Sequence, residues 1–272
     1  MNEILKRAFS RLKIEYFSIV PYSLCKEIRG DIRERMGFVP KSAVIYLLPY
    51  YTGEGENISR YALSLDYHIA IREIADGIIS ALSERYPEAS FSSFGDHSPI
   101  DERHAALIAG LGIAGDNRLL INERYGSYVF IGDILTNLEP PEIDSFIPSA
   151  PRRCYGCGRC KAACPTGVLR GESADCLSDI TQRKGELTDP EAALMRKVNT
   201  AWGCDECQSA CPYNASPIKT PIEFFYRDRI EALTEERLSA MTKQEFSSRA
   251  FAWRGIKTLE RNLKILKERQ ED

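Results

Sequence analysis

Eight of the nine cysteines fall between Cys154 and Cys211, and their spacing is the feature of this sequence that can do chemistry. The first four read Cys154-x2-Cys157-x2-Cys160-x3-Cys164-Pro165. In bacterial two-cluster electron carriers this run puts three thiolates on one [4Fe–4S] cluster and sends the fourth to a second cluster. Cys176 and then Cys204-x2-Cys207-x3-Cys211-Pro212 supply the thiolates that the first run lacks. Eight thiolates satisfy two four-iron cubanes with none left over. The reversal between the halves suggests Cys154, Cys157, Cys160 and Cys211 on cluster one, and Cys164, Cys176, Cys204 and Cys207 on cluster two. Zinc also takes four thiolates, but its usual signature is two separated CxxC pairs. A disulfide framework would call for an oxidising compartment, and no signal-peptide pattern is present. Cys25, the ninth cysteine, reads as a small apolar residue.

The rest of the composition is that of an ordinary globular chain: 272 residues, 43% apolar, 28% charged and a net charge of −3. That charge argues against general electrostatic binding of nucleic acid. No apolar run reaches the 18 or more residues of a membrane span. One local bias stands out. Residues 151–170 hold Arg152, Arg153, Arg159, Lys161 and Arg170 and no acid. These cations compensate the negative charge of clusters and thiolates; docking of an acidic electron donor is the sharper alternative.

The elements that would position these groups follow from periodicity. Residues 1–40 look largely helical and end in loop, with Leu5, Ala8 and Leu12, then Leu24, Ile28 and Ile32, at helical spacing. Ala43–Leu48 is a short apolar run stopped by Pro49 and reads as a buried strand. Tyr61 to about Arg85 reads as a long helix, with Ile71, Ile74, Ile78 and Leu82 on one face. Phe91–Ile100 reads as loop, and Asp101 can cap the helix that follows. Leu119–Asn122 and Ser127–Thr136 read as a hairpin across Glu123–Gly126. A Pro-rich linker from Glu139 to Pro151 leads into the cysteines, and residues 222–246 and 248–269 look like terminal helices. Gly110-x-Gly112-x-x-Gly115 matches a dinucleotide fingerprint in letters. It follows a helix and precedes strand-like sequence, so it reads as a tight backbone turn.

Together these motifs identify a resemblance. The order Asp96-x-x-Pro99-x-x-Glu102-Arg103, then Ala109-Gly110-Leu111-Gly112-x-x-Gly115-x-Asn117-x-Leu119-Leu120-Ile121, then Gly126-Ser127, resembles epoxyqueuosine reductase. So do Tyr61-Ala62, Asp66-Tyr67-His68, Cys176-x-Ser178, and Gly203-Cys204-Asp205-x-Cys207-Gln208-x-x-Cys211-Pro212-x-Asn214. The resemblance covers roughly residues 40–265. It implies cobalamin and two [4Fe–4S] clusters as cofactors, and reduction of epoxyqueuosine to queuosine at a tRNA wobble position. It implies Asp96 as proton donor. It places Tyr61, Asp66, His68, Leu120 and Ser178 among the cobalamin-binding positions, with cobalamin near cluster two. No histidine stands in an Asp-x-His-x-x-Gly motif, so none is expected on the cobalt. Two departures stand out. Asp116 occupies a position where the family usually has Lys. The sequence also ends soon after Arg261-Asn262, where longer members continue into a HEAT-like helical domain, so it reads as a short form.

The resulting expectation is an α+β protein: an α/β-type cobalamin- and substrate-binding domain over 1–150, a ferredoxin-like double-cluster domain over 151–217, and C-terminal helices over 218–272. The function implied is that of a cytoplasmic, monomeric oxidoreductase, fed by a donor such as ferredoxin or flavodoxin and acting on tRNA without a membrane. The alternatives are the same build acting on a free nucleoside or an organohalide, and a pure electron carrier. About 150 residues ahead of the clusters is more than a carrier needs. Without the resemblance, Asp96 would read as a turn or capping aspartate, and His68 and His104 as structural residues of their helices.

Overall fold

The computed structural model describes residues 1–140 and 146–268. Its elements in chain order are α1 (Asn2–Arg11), β1 (Phe17–Pro21), α2 (Gly30–Arg35), β2 (Ser42–Pro49), α3 (Tyr67–Arg85), β3 (Phe91–Phe94), α4 (Glu102–Ile108), β4 (Ile113–Ala114), β5 (Leu120–Ile121) and β6 (Val129–Thr136). Then come α5 (Arg159–Ala163), α6 (Leu177–Gln182), α7 (Asp189–Val198), α8 (Glu206–Ser209), α9 (Glu235–Ala240), α10 (Lys243–Ser247) and α11 (Ile256–Lys267). The fold is α+β, as the sequence implied. Contacts divide the described residues into two compact units. One holds Met1–Pro49 and His68–Tyr155, and the other holds Tyr50–Tyr67 and the chain from Gly156. Residues 50–67, grouped by sequence with the first 150, therefore belong to the cluster-bearing unit, and Cys154 belongs to the first.

The first unit is built on a four-stranded antiparallel sheet in the order β1-β2-β6-β3. All eight residues of β2 are buried, which is why it reads as a continuous apolar run. Ala43, Ile45 and Leu47 point into a core with Ala105, Ala106 and Ile108 of α4 and Leu120 of β5. On α1, Phe9 stacks on Phe17 at 4.4 Å and tilts onto Tyr46 at 5.4 Å. α3 buries Ile71, Ile74, Ile78 and Leu82, the face expected of it.

Three expectations are corrected here. Residues 1–40 include a strand, β1, and Phe91–Ile100 begins with another, β3. Leu119–Asn122 and Ser127–Thr136 do not form a hairpin with each other. β5 pairs back to β4, β6 pairs with β2 and β3, and an isolated Asn122–Gly126 bridge closes the turn between the two segments. The cause is local: the Asn122 side-chain oxygen accepts from the Arg124 and Tyr125 N–H groups and closes a turn there. The glycine motif is a turn after α4. A Cβ at Gly112 would come within 2.6 Å of the Ile121 carbonyl oxygen, so β4 and β5 approach only because that position is bare.

The second unit packs short helices around Trp202, which is fully buried with Leu63, Leu177, Met195, Phe251 and Leu259. Residues 57–59 run alongside Trp202: Ala201 donates to Asn57 at 2.6 Å and Ser59 to Trp202 at 2.8 Å. The expected helix 222–246 is broken, because Thr234 and Thr242 each cap a new start, giving α9 and α10. The expected helix 248–269 begins only at Ile256, after Gly255, and its residue 269 lies outside the described residues.

Candidate functional site

In the second unit the cysteines sit at element ends, where backbone N–H groups are unspent. Cys160 is the second residue of α5 and Cys164 follows its last turn; Cys176 caps α6; Cys207 lies in α8 and Cys211 follows it. α5 packs directly against α8. Burial pushes the Cys204 and Cys207 thiols up to about 12, with neighbouring thiols adding to the rise: Cys176 at Cys204, and Cys204, Cys176 and Cys160 at Cys207. Cys176 is raised by burial and also by Cys164. Cys164, Cys176, Cys204 and Cys207 thus stand close enough to couple electrostatically, and Cys160 couples with Cys207 as well. Burial also opposes the Cys164 thiolate, but backbone N–H groups of Leu169, Gly167 and Thr166 and the Thr166 hydroxyl hold it below its ordinary value. Raised in this way, these thiols stay protonated near neutrality unless a multivalent cation displaces their protons, and a four-iron core fits that donor set.

Cys154 lies in the first unit, at the end of a bridge from Arg153 to Ala114, and its sulfur accepts the Asp116 N–H at 3.4 Å. The Asp116 carboxylate meets Arg153 at 3.4 Å, so the inverted sign at position 116 has a local counter-charge.

Between Cys204 and Cys207 stands Asp205, quoted in the motif from Gly203 to Asn214 but given no role there. Its carboxylate accepts from Ser59 Oγ at 2.6 Å, the Arg60 N–H at 2.7 Å and Gln208 Nε2 at 3.0 Å, and it pairs with the Arg60 guanidinium at 3.2 Å. Its place in a CxxC segment was the available signal.

In the first unit the structure brings Asp96 and His68 together: His68 Nε2 stands 3.8 Å from Asp96 Oδ2, and both side chains are exposed. Asp96 has a left-handed backbone, φ +68°. Aspartate tolerates that region better than most residues, but it must be held there. Its N–H donates to the Glu102 carboxyl at 2.9 and 3.2 Å, and its carbonyl accepts from Arg29 Nη1 at 2.9 Å. Glu102 is also part of a carboxyl pair. Asp133, on β6, is fully buried, and its oxygens have no hydrogen bond of good geometry among the described residues. Burial pushes Glu102 up to about 9, helped by Asp133 and Asp96. Burial pushes Asp133 up to about 7, against partial stabilisation from Ser98 and Glu102. The pair therefore holds at least one proton near neutrality. A lone acid inside the apolar run of β6 was the readable sign of it.

The remaining positions are placed as follows. The Tyr61 hydroxyl accepts from Trp202 Nε1 at 2.7 Å. Asp66 is half-buried, and its N–H donates to the Ser248 carbonyl at 2.8 Å. Ser178 Oγ accepts from Gln182 Nε2 at 3.1 Å. Leu120 is 4% exposed and sits in the core of the first unit. Cys25 is half-buried with its thiol pushed up to about 12 by burial, in keeping with an inert apolar role.

These arrangements define an α+β protein with a two-cluster thiolate centre and an acid loop. Residues 153–214 match the family described as a 4Fe-4S double cluster binding domain. The chain is 33% identical over 230 residues to the epoxyqueuosine reductase of Listeria monocytogenes, covering 79% of this chain and 57% of that one. It is 33% identical over 235 residues to the epoxyqueuosine reductase of Gloeobacter violaceus, covering 80% of this chain and 72% of that one. Its fold matches a crystal structure of epoxyqueuosine reductase with an epoxyqueuosine-modified tRNA-Tyr stem loop, with a TM-score of 0.80, 23% identity, and coverage of 100% of this chain and 81% of that one. The chain belongs to the epoxyqueuosine reductase family and spans little more than half the length of the Listeria relative.

Proposed function

We propose that this chain is a reductase that converts epoxyqueuosine to queuosine in tRNA with two [4Fe–4S] clusters and cobalamin, and that Asp96 is its proton donor. The observation that carries the reading is the setting of Asp96: its backbone is pinned on both sides by Glu102 and Arg29 while its carboxyl stays open beside His68. The names of the relatives, and the tRNA stem loop held by the structure of like fold, support tRNA as substrate.

Removing the epoxide oxygen as water takes two electrons and two protons. When bound, the clusters supply single electrons and cobalamin supplies the strongly reducing centre that acts on the C–O bond. The chain's own residues bind and position. The eight cysteines hold the clusters in the partition given above. Tyr61, Asp66, His68, Leu120 and Ser178 would hold cobalamin; all except Leu120 present partly exposed polar groups that suit the amide side chains of a corrin. Leu120 could contribute only through its backbone or a slight exposed edge. Asp96 donates one proton to the leaving oxygen, and His68 Nε2 is placed to return a proton to it from solvent. The electron donor is a protein such as ferredoxin or flavodoxin, and the enzyme works as a cytoplasmic monomer. Among the described residues no helix is long and apolar enough to cross a membrane.

The test is Asp96→Asn, which preserves size and tolerance of the left-handed backbone but cannot donate a carboxyl proton. It should keep both clusters and bind cobalamin, while turnover falls about 10²–10⁴-fold. Asp101→Asn is the control: Asp101 caps α4 by accepting the His104 N–H at 2.9 Å, so its change should cost about 1 kcal/mol or less and spare turnover. Full activity in Asp96→Asn, or equal loss in both variants, would remove Asp96 from the role.

A further inference from the structure

Asp205 stands between two thiolates assigned to iron, one residue after Cys204 and two before Cys207. Its side chain is 9% exposed, so little water screens its charge. Four donors of the second unit meet its carboxylate. Ser59 Oγ donates at 2.6 Å, the Arg60 N–H at 2.7 Å, Gln208 Nε2 at 3.0 Å and the Arg60 guanidinium at 3.2 Å. That guanidinium, 14% exposed, is shared. It also donates to Ser209 Oγ at 3.1 Å and pairs with Glu54, whose side chain is 64% exposed. Two acids on one arginine leave one net negative charge. The Glu54 charge is open to water, and the Asp205 charge is not. Asp205 also reaches both sulfurs: burial and neighbouring thiols raise the Cys204 and Cys207 thiols, and the Asp205 charge raises both further.

We propose that Asp205 sets a potential: its carboxylate makes the cluster bound by Cys204 and Cys207 harder to reduce, and Arg60 limits how far. As a tie between residues 59–60 and the cysteine segment, a neutral amide would serve as well, because its oxygen accepts from Ser59 and from the Arg60 N–H. A carboxylate at that place repels the thiolates on either side of it. The repulsion does nothing to hold the segment; it acts on the electrons of the cluster. An electron added to a cluster spreads onto its thiolate sulfurs, so a fixed negative charge beside them disfavours reduction and makes the reduced cluster a stronger donor. Charges and hydrogen bonds just beyond the ligands tune a metal centre in this way. The guanidinium on the far partner of the pair offsets part of the effect. This inference rests on the assignment of Cys204 and Cys207 to a cluster, and not on Asp96, cobalamin or the substrate.

Potentiometric titration of the cluster-loaded protein, without cobalamin or substrate and followed by electron paramagnetic resonance, tests it. Asp205→Asn keeps the size and an acceptor oxygen but loses the charge, and one of the two cluster midpoints should move to a more positive potential. Arg60→Gln removes the counter-charge and should move that same midpoint to a more negative potential. The other midpoint should stay in place in both variants. Opposite shifts separate charge from structure, because a loosened cysteine segment would move the midpoint the same way in both. Iron and labile-sulfide contents equal to the parent's show that the clusters are in place, and Arg60→Gln decides the matter alone if Asp205→Asn takes up too little iron. Shifts of one sign in both variants, no shift in either, or equal shifts of both midpoints overturn the proposal. A protein with no reducible cluster overturns the cluster assignment beneath it as well.

Discussion

Asp96 draws its interest from what surrounds it. The carboxyl that fixes its N–H belongs to Glu102, and Glu102 shares its setting with Asp133 on the central strand β6. Both acids are raised by burial, Glu102 to about 9 and Asp133 to about 7. The folded chain thus keeps protons that the unfolded chain, with ordinary values of about 4, has released. Stability from this pair is complete below the ordinary values and is lost as pH rises toward the raised ones. Thermal unfolding should therefore show a midpoint that falls between pH about 5 and about 8. Asp133→Asn, which cannot titrate, should fall less steeply over the same range. Parallel curves for the two proteins would show that Asp133 is ionised throughout and that the pair holds no proton. Tyr46 reinforces the picture: its buried hydroxyl has no partner among the described residues and is raised by burial and by Asp133.

Among the elements, α11 shows how the cluster-bearing unit is pinned. Asn262 is fully buried, and its amide donates to the carbonyls of Thr181 and Ala201, each at 2.7 Å. One carbonyl belongs to α6, the helix capped by Cys176; the other precedes Trp202 and the Cys204 segment. Asn262→Ala would orphan both acceptors and should cost about 2–4 kcal/mol. Cluster two should then be extracted faster by a chelator, followed by the decay of visible absorbance; an unchanged extraction rate would separate α11 from the cluster. In the sequence the Arg261-Asn262 pair marks only the point after which longer family members continue; the role of Asn262 was not legible, because it lies in contacts far along the chain. The same limit explains the two missed strands. β1 and β3 are the edges of the sheet, half-exposed, and β3 is Phe-Ser-Ser-Phe, so neither carries the apolar run that made β2 plain. The cysteine spacing was fully legible because cluster ligation is set by local geometry. The Glu102–Asp133 pair was not, because it joins a helix start to a strand that its sequence neighbours do not predict.

At the scale of the whole molecule, the eight cysteines imply about eight irons and eight acid-labile sulfides per chain. Cys157→Ala should lose cluster one and leave cluster two largely in place; a colourless, zinc-loaded protein after anaerobic purification would contradict the iron–sulfur reading. Cobalamin added to the holoprotein should show a perturbed corrin spectrum. Family membership and fold rest on relatives of greater length, so substrate is the property to be measured on this chain itself. The most direct measurement is anaerobic turnover of the cluster-loaded protein with cobalamin and a reductant, on epoxyqueuosine-containing tRNA and on the free nucleoside, read by mass spectrometry. The account predicts queuosine in the tRNA, dependent on added cobalamin; reduction of the nucleoside alone, or of neither, would contradict it.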